Sequence, residues 1–597
     1  MAWSRFISSC AVGIVFLAGI QSGKAGDLDR TTEGQNVTVS ITSPFSSLPP
    51  GGCVPFRINI QNDQNNVGTW QFMFRASTNA YTRGSIEYRQ SLTVEPNRST
   101  SFDLLVPMPV VSDDKGNTVL NVGVKGPGFN SSLDKPFFAY FYTNNPGSRL
   151  PYTLIESDVL GTIGLGPLTA YCKDAGRDFY GSTIDVGNMP STWQAYSGVA
   201  VLIVKDTGWL SLNSTQREAI CDYVAQGGHL TILTAQTAEL RTPEMQLPEP
   251  DGKPGPYGFG SISVVPTSIF PPDAEVLNTI IEKDFSVSAY QIEQKYSTWG
   301  LRRLVGTIAV SGTFILCFVV LFGGLVGPIN LFVFAPGVKR FRLFWTTPLI
   351  SILACLILIV GILVTDGIGG SGRQIIAIFS LPNSNREAIV QEQVARTAVL
   401  FSSRWRGNQN YLITPIASRV LNDETTIEAD DSPDVYRKDD KDYSGNWFRS
   451  RSVCGQYLQA MRPSRSVLTV LNSQAVNSSR KAPEVLSSFP NELTQVFLFD
   501  ANNNCWTCRN LEPGHKQPCV ASSEAEFKSF WGQVWLNAGG KLGPLLYEAR
   551  DRRDCFYALG TPSSDETLAT LGEIRWQVEE CVYLGPWVSS SSEEGGP

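Results

Sequence analysis

Two uncharged apolar runs in the middle of the chain constrain its fold more than any other feature. Leu304 to Val326 (LVGTIAVSGTFILCFVVLFGGLV) and Phe344 to Val364 (FWTTPLISILACLILIVGILV) carry no charged side chain. In hydrocarbon every backbone polar group must be satisfied within its own segment, so runs of this length predict membrane-spanning helices over 304–326 and 344–364. Lys339, Arg340 and Arg342 lie between the runs, and Arg302 and Arg303 precede them. Phe344 and Trp345 suit a membrane–water boundary. Gly327, Pro328 and Asn330 close the first run. They read as a helix that breaks and turns along the boundary, or alternatively as a contact surface for a partner membrane protein.

The N-terminus, MAWSRFISSCAVGIVFLAGIQSGKAGD, has the layout of an export signal over 1–25. Arg5 leads the apolar stretch Phe6 to Ile20, and Gly23-Lys24-Ala25 is a small-residue cleavage site. The alternative is an uncleaved anchor. Cys10 lies inside the apolar stretch and is not followed by a lipoprotein-like start. With the N-terminal region exported, the basic turn is cytoplasmic, as the excess of cations on that side prefers, and the chain returns outward after Asp366. Both large polar regions are then expected on one extracytoplasmic face.

At 597 residues the chain exceeds one core, and three or four domains are expected. Net charge is −7 and no long basic block stands outside the turn, which argues against nucleic acid as a partner. Only two histidines, His229 and His515, are present. That excludes a multi-histidine metal centre and leaves two possible bases for a Ser-His-Asp arrangement.

Residues 35–148 alternate apolar and polar positions in NVTVSIT, CVPFRINIQN, WQFMFRA, SIEYRQSLTV, TSFDLLVPM and VLNVGVKG, with turns at Pro49–Gly52 and Asp113–Asn117. This predicts an immunoglobulin-like β-sandwich, more often a spacer or docking module than an enzyme. The period changes over 152–290. YTLIESD reads as a strand and Val199 to Val204 as another. Ser214 to Gln226 reads as an amphipathic helix capped by Ser214, ended by Gly227-Gly228 and followed by the strand His229 to Thr234. Strand, helix, glycine stop and strand predict a parallel sheet.

The run Met189-Pro190-Ser191-Thr192-Trp193, then Tyr196-Ser197-Gly198-Val199 to Asp206, then Leu212 to Gly228, resembles the class I glutamine amidotransferase-like fold. Catalytic members of that fold need a glycine-flanked cysteine on a strand-to-helix elbow and a downstream histidine. No Gly-x-Cys-x-Gly occurs here; Cys221 falls within a helix, Cys172 in another, and His229 opens a strand. The resemblance therefore implies a non-catalytic relative. Over residues 50–365 the chain also resembles uncharacterised bacterial membrane proteins that join an exported sandwich, an amidotransferase-like domain and a two-helix segment. Gly327-Pro328-Ile329-Asn330, Lys339-Arg340 and Trp345 carry that likeness. It implies a bacterial envelope protein and no activity.

After the membrane, GIGGSG (367–372) reads as a flexible exit. QIIAIFSL, TAVLFSSR, NYLITPIA, SVLTVLN and TQVFLFD read as strands of a mostly β domain over 373–587, with a helix at EAEFKSFWGQVW. Asp423 to Asp442 reads as a solvated acidic loop, and 588–597 as a disordered tail. Cys505, Cys508, His515 and Cys519 give C-x2-C-x6-H-x3-C, with Cys454, Cys555 and Cys581 nearby. In an exported segment disulfides are the leading expectation. Tetrahedral zinc on Cys505, Cys508, His515 and Cys519 and a redox-active Cys505/Cys508 pair are the alternatives. The pairing of six cysteines stays open.

The expected whole is a multidomain α+β membrane protein of the inner membrane, with no catalysis and no cofactor of its own. It would bind or scaffold within a membrane assembly, its partners the bilayer and other envelope or membrane proteins, with the basic turn as the place for a cytoplasmic one. The rivals are an envelope hydrolase or amidotransferase with an atypical site drawn from Cys172, Cys221 and His229, and a thiol redox protein.

Overall fold

The computed structural model describes residues 29–49, 51–78, 84–108, 118–129, 138–143, 151–161, 165–174, 179–234, 247–248, 252–266, 274–283, 299–306, 312–407, 411–416, 434–471, 482–500, 502–550 and 552–590. The expected signal at 1–25, the turn at 113–117, the acidic stretch 423–433 and residues 591–597 lie outside them.

Period-two alternation produces two facing sheets. Asp29–Gly34, Val37–Thr42, Cys53–Asn62 and Arg98–Pro107 pair antiparallel in one. Gly68–Thr78, Gly84–Val94, Thr118–Lys125 and Phe138–Thr143 pair antiparallel in the other. Phe56 and Phe74 meet between them with ring centroids 5.7 Å apart.

The second sheet is completed from beyond the apolar helices. Asp434–Asp439 runs parallel to Gly84–Val94, from Asp434 opposite Gly84 to Asp439 opposite Arg89, and Asp442–Gly445 and Trp405–Arg406 extend the sheet further. The expectation of a loop through Asp442 is corrected here: residues 434–439 form a strand with Tyr436 buried and Arg437 and Asp439 exposed. Alternating charge gives such a strand a soluble outer face while its backbone saturates a sheet edge. The carboxylate of Glu87, 2 % exposed, receives Arg75 at 2.5 Å, Arg89 at 3.3 Å and Arg437 at 3.3 Å.

The next block forms a six-stranded sheet in the order Gly181–Ile184, Thr153–Glu156, Val201–Lys205, His229–Thr234, Gly260–Pro266 and Gly255–Tyr257, parallel except for the last pair. Alternate residues bury on opposite faces: Val201 and Ile203 beneath Leu165–Asp174 and Ala274–Lys283, Leu202 and Val204 beneath Ser214–Ala225. The last helix is capped one residue earlier than expected. Asn213 Oδ1 accepts the Gln216 N–H at 2.9 Å, and Gln216 Oε1 accepts the Asn213 N–H at 3.1 Å.

Beyond the apolar helices a nine-stranded sheet dominates. Its order is Tyr411–Ile416, Val453–Pro463, Arg386–Thr397, Gly370–Leu381, Ile574–Pro586, Cys555–Gly560, Leu493–Phe499, Cys505–Leu511 and Val520–Ala521. Gly370 already pairs with Thr397 and Ile574, so the expected flexible exit is ordered from that residue. The helix Glu524–Asn537 buries Phe527, Phe530, Trp531 and Val534, the aromatic stripe its spacing predicts. A small sheet of Lys516–Pro518, Glu484–Ser487, Leu468–Val470 and Val588–Ser589 covers the other face, so the expected tail begins as a strand. The parallel-sheet block docks on this region: Phe259 meets Phe379 edge-on at 5.5 Å, Arg386 reaches Asp222 at 2.7 Å and also Glu218, and Gln226 Nε2 donates to the Ala460 carbonyl at 2.6 Å. One apolar cluster runs through the paired sheets, the parallel sheet and the nine-stranded sheet.

Between these regions stand two helices long and apolar enough to cross a membrane, Leu316–Phe334 and Arg340–Gly361, with mean hydropathy 2.3 and 2.4. The first lies further along than 304–326, since Leu301 and Val305 are buried in the separate helix Gly300–Val305. It does not break at Gly327-Pro328. Leu325–Phe334 continues as a wide π-helix, whose longer hydrogen-bond reach accommodates the proline. Asn330 is buried against the second helix: its Nδ2 donates to Thr347 Oγ1 at 2.9 Å, and its Oδ1 accepts from Thr346 Oγ1 at 2.7 Å.

Candidate functional site

In an open parallel sheet, ligands bind outside the carboxyl ends of the strands where the strand order reverses. Here that point lies between Thr153–Glu156 and Val201–Lys205. Glu156 ends the first strand and Lys205-Asp206 leads from the second into the helix Asp206–Ser211. Glu156 is 1 % exposed; its Oε2 accepts the Lys205 N–H at 2.7 Å, and its Oε1 has no hydrogen-bond partner among the described residues. Burial pushes its carboxyl above the ordinary carboxylate range, and the Lys205 N–H only partly offsets this. A Cβ on Gly208 would stand 2.3 Å from both carboxyl oxygens, so only glycine admits Glu156 at this turn. Asp206 is likewise occupied: Oδ1 accepts the Thr207 N–H at 2.7 Å, and Oδ2 accepts from Thr234 Oγ1 at 2.9 Å. The elbow thus carries Lys205 and Asp206, and its carboxylates hold the turn together.

The sequence candidates scatter. Cys172 belongs to the apolar layer on one face of the parallel sheet and Cys221 to the layer on the other. Cys172 Sγ lies 3.3 Å from Asn278 Oδ1. His229 opens its strand, at the opposite end of the sheet from Glu156, with Nδ1 2.8 Å from Ser261 Oγ. These three residues do not converge on one site.

No family profile and no curated protein matches the chain. Among solved structures it is similar to a cycloisomaltooligosaccharide glucanotransferase of Paenibacillus sp., at 13 % identity and a TM-score of 0.14, covering 35 % of this chain and 28 % of that one. It is also similar to a β-glucuronidase of Bacteroides uniformis (8 % identity, TM-score 0.12, 35 % and 23 % covered) and a β-D-mannosidase of Dictyoglomus thermophilum (10 %, 0.13, 84 % and 76 %). Likenesses this slight carry no argument about fold or activity.

The cysteine-rich segment resolves differently from its spacing. Cys505 and Cys508 share the strand Cys505–Leu511, and their separation of three sends them to opposite faces of the nine-stranded sheet. His515 is exposed, its Nδ1 2.8 Å from Glu512 Oε2. Among the described residues no group of three or more potential ligands could hold a metal. A zinc site on Cys505, Cys508, His515 and Cys519 and a Cys505/Cys508 dithiol therefore both fail on strand geometry. Burial pushes the Cys505 thiol up to about 11, which keeps it protonated at neutral pH. Among the described residues no two sulfurs lie at bonding distance. Cys508 and Cys519 are nevertheless neighbours whose thiols interact. The ladder pairs Trp506 with Ala521 and Thr507 with Val520; Cys508 and Cys519 are the residues next beyond it, in the same apolar cluster.

The residues that join the two halves escaped the sequence reading. Glu87, Asp222, Arg386 and Arg437 are far apart along the chain, and no local pattern pairs positions so distant.

Proposed function

We propose that this protein is a two-pass membrane-anchored component of the bacterial envelope. Both large regions occupy the extracytoplasmic face and the Lys339–Arg342 turn is cytoplasmic. It serves as a binding or scaffolding component of a membrane assembly with no catalysis of its own. The supporting observation is the parallel pairing of Asp434–Asp439 with Gly84–Val94 across the apolar hairpin. Strands that share a ladder must lie on one side of a bilayer, and an even number of spans returns the chain to that side. The scaffold reading is supported by the elbow of Lys205 and Asp206 and by the separation of Cys172, Cys221 and His229. The immunoglobulin-like and amidotransferase-like assignments, the cleaved signal, the kinship with uncharacterised membrane proteins and the absence of nucleic acid as a partner belong to this proposal.

Reporter fusions test it. Alkaline phosphatase is expected to be active when fused after residue 590 and inactive when fused at Gly337; the reverse pattern overturns the topology. Purification from detergent-solubilised membranes is expected to recover stoichiometric membrane or envelope partners. Amide or ester hydrolysis that disappears on Cys221→Ala or His229→Ala would overturn the scaffold reading.

A further inference from the structure

We infer that the end of the nine-stranded sheet next to the apolar hairpin is a phospholipid-headgroup face, on which Arg404, Arg449, Arg451 and Arg575 meet the phosphates of an anionic leaflet while Phe401 and Ile368 enter its boundary. The inference rests on the membrane reading above and deepens it by naming the surface and its ligand. The ladder brings Gly370, Thr397, Val453 and Ile574 to one end of the sheet. The second apolar helix ends at Asp366, and the chain joins this end at once: Ile368 bridges Val399, the Gly369 N–H donates to the Val399 carbonyl at 2.9 Å, and the Ala398 N–H donates to the Gly369 carbonyl at 2.7 Å. The Arg451 N–H reaches the Ala398 carbonyl at 3.0 Å, and the Leu400 N–H reaches Ser450 Oγ at 3.1 Å. Three loops thus stand together at the root of the helix.

Beside the exposed Ser402 and Ser450, two kinds of side chain stand out on them. Arg404, Arg449, Arg451 and Arg575 are cations in a chain whose net charge is −7, so their concentration here is not a reflection of composition. Phe401 is 78 % exposed and Ile368 54 %. Phe401 does not project by looseness: Glu573 accepts the N–H groups of Phe401 at 3.0 Å and Ser402 at 3.2 Å, which fixes the loop and occupies both oxygens of the carboxylate. In the separate helix Gly300–Val305, Arg303 and Leu304 are exposed in the same combination. Guanidinium groups match phosphate oxygens in two-point hydrogen bonding, and aromatic rings favour the headgroup boundary. A headgroup surface satisfies both at once, and the hairpin holds it within reach of this end.

The test uses the full-length chain in proteoliposomes, with p-benzoylphenylalanine in place of Phe401 and, separately, of exposed Val520 on the outermost strand of the same sheet. Irradiation in phosphatidylcholine containing phosphatidylglycerol is expected to give a phospholipid adduct at 401 and none at 520. The 401 adduct is expected to fall in phosphatidylcholine alone. Arg404→Gln, Arg449→Gln and Arg451→Gln, each removing one charge, are expected to lower it about fivefold apiece. Equal yield at the two positions, adducts to protein in place of lipid, or indifference to phosphatidylglycerol would overturn the inference. Alkaline carbonate extraction separates the two readings: a chain released from the vesicles defeats the membrane reading itself, whereas a chain that stays embedded without the adduct defeats only the headgroup face.

Discussion

Asp222 joins a helix from one half of the chain to a strand from the other. Burial raises its carboxyl from 3.8 to about 7, and the Arg386 guanidinium at 2.7 Å offsets only part of that rise. The folded protein therefore keeps a proton that the unfolded chain releases. The contribution to stability is complete below about pH 4 and is lost as pH rises toward about 7. Thermal scans are expected to show Tm declining across that window, and Asp222→Asn is expected to flatten the decline. Glu87 behaves in the opposite sense. Burial alone would raise its pKa, but Arg75, Arg437 and Arg89 together hold it below the ordinary value. Its contribution is present at neutral pH and lost on acidification. Glu87→Gln leaves three arginines facing a neutral amide and is expected to cost about 2–3 kcal/mol in denaturant titration. That is less than a fully buried pair would lose, because the arginines are partly exposed. For Cys508 and Cys519, an added disulfide oxidant is expected to take two electrons and two protons and link the sulfurs. The peptide mass then falls by two hydrogens, and Cys519→Ser abolishes the change. Thiols that stay separate under oxidant would contradict the cross-strand pairing.

Among the elements, the apolar hairpin carries a polar contact between its helices. The amide of Asn330 is satisfied by Thr346 and Thr347, so in the Gly-Pro-Ile-Asn segment the helix does not break and the asparagine serves the hairpin itself, while Gly327, Pro328 and Ile329 face outward. Asn330→Ala is expected to destabilise the helix pair by about 0.6–1.7 kcal/mol in a detergent unfolding titration. Combining it with Thr346→Val and Thr347→Val is expected to cost little more, because the same contact has already gone. The π-helix at Leu325–Phe334 could not be read from sequence, where Gly-Pro signals a break; what continues the helix is the wider turn that relieves the proline clash. The CxxC run shows the opposite limit. Its spacing fits a metal knuckle as well as a strand, and the strand won because the ladder with Leu493–Phe499 sets the alternation.

At the scale of the whole molecule, the two halves interlock. The strand Gly84–Val94 would be an open sheet edge without Asp434–Asp439, and such edges recruit other chains. Residues 26–306 expressed alone are therefore expected to aggregate, and co-expression with 367–597 is expected to restore a soluble complex, read by size-exclusion chromatography. Tyr436→Pro in the full chain removes a ladder donor beside Ile86 and is expected to expose the joint to protease while leaving the nine-stranded sheet intact.

The amino-acid sequence alone determined the apolar hairpin, the alternating strands before it, the βαβ block and the aromatic face of Glu524–Asn537. Each of these is written in the periodicity or polarity of neighbouring residues, where hydrophobic burial acts locally. Tertiary structure alone decided that an acidic stretch becomes a sheet strand, that Cys508 faces Cys519 and not Cys505, and that Glu87 and Asp222 hold distant segments. Strand partners and buried charge pairs are chosen by the free energy of the assembled body. That energy depends on which surfaces meet, and no window along the chain contains both sides of the contact.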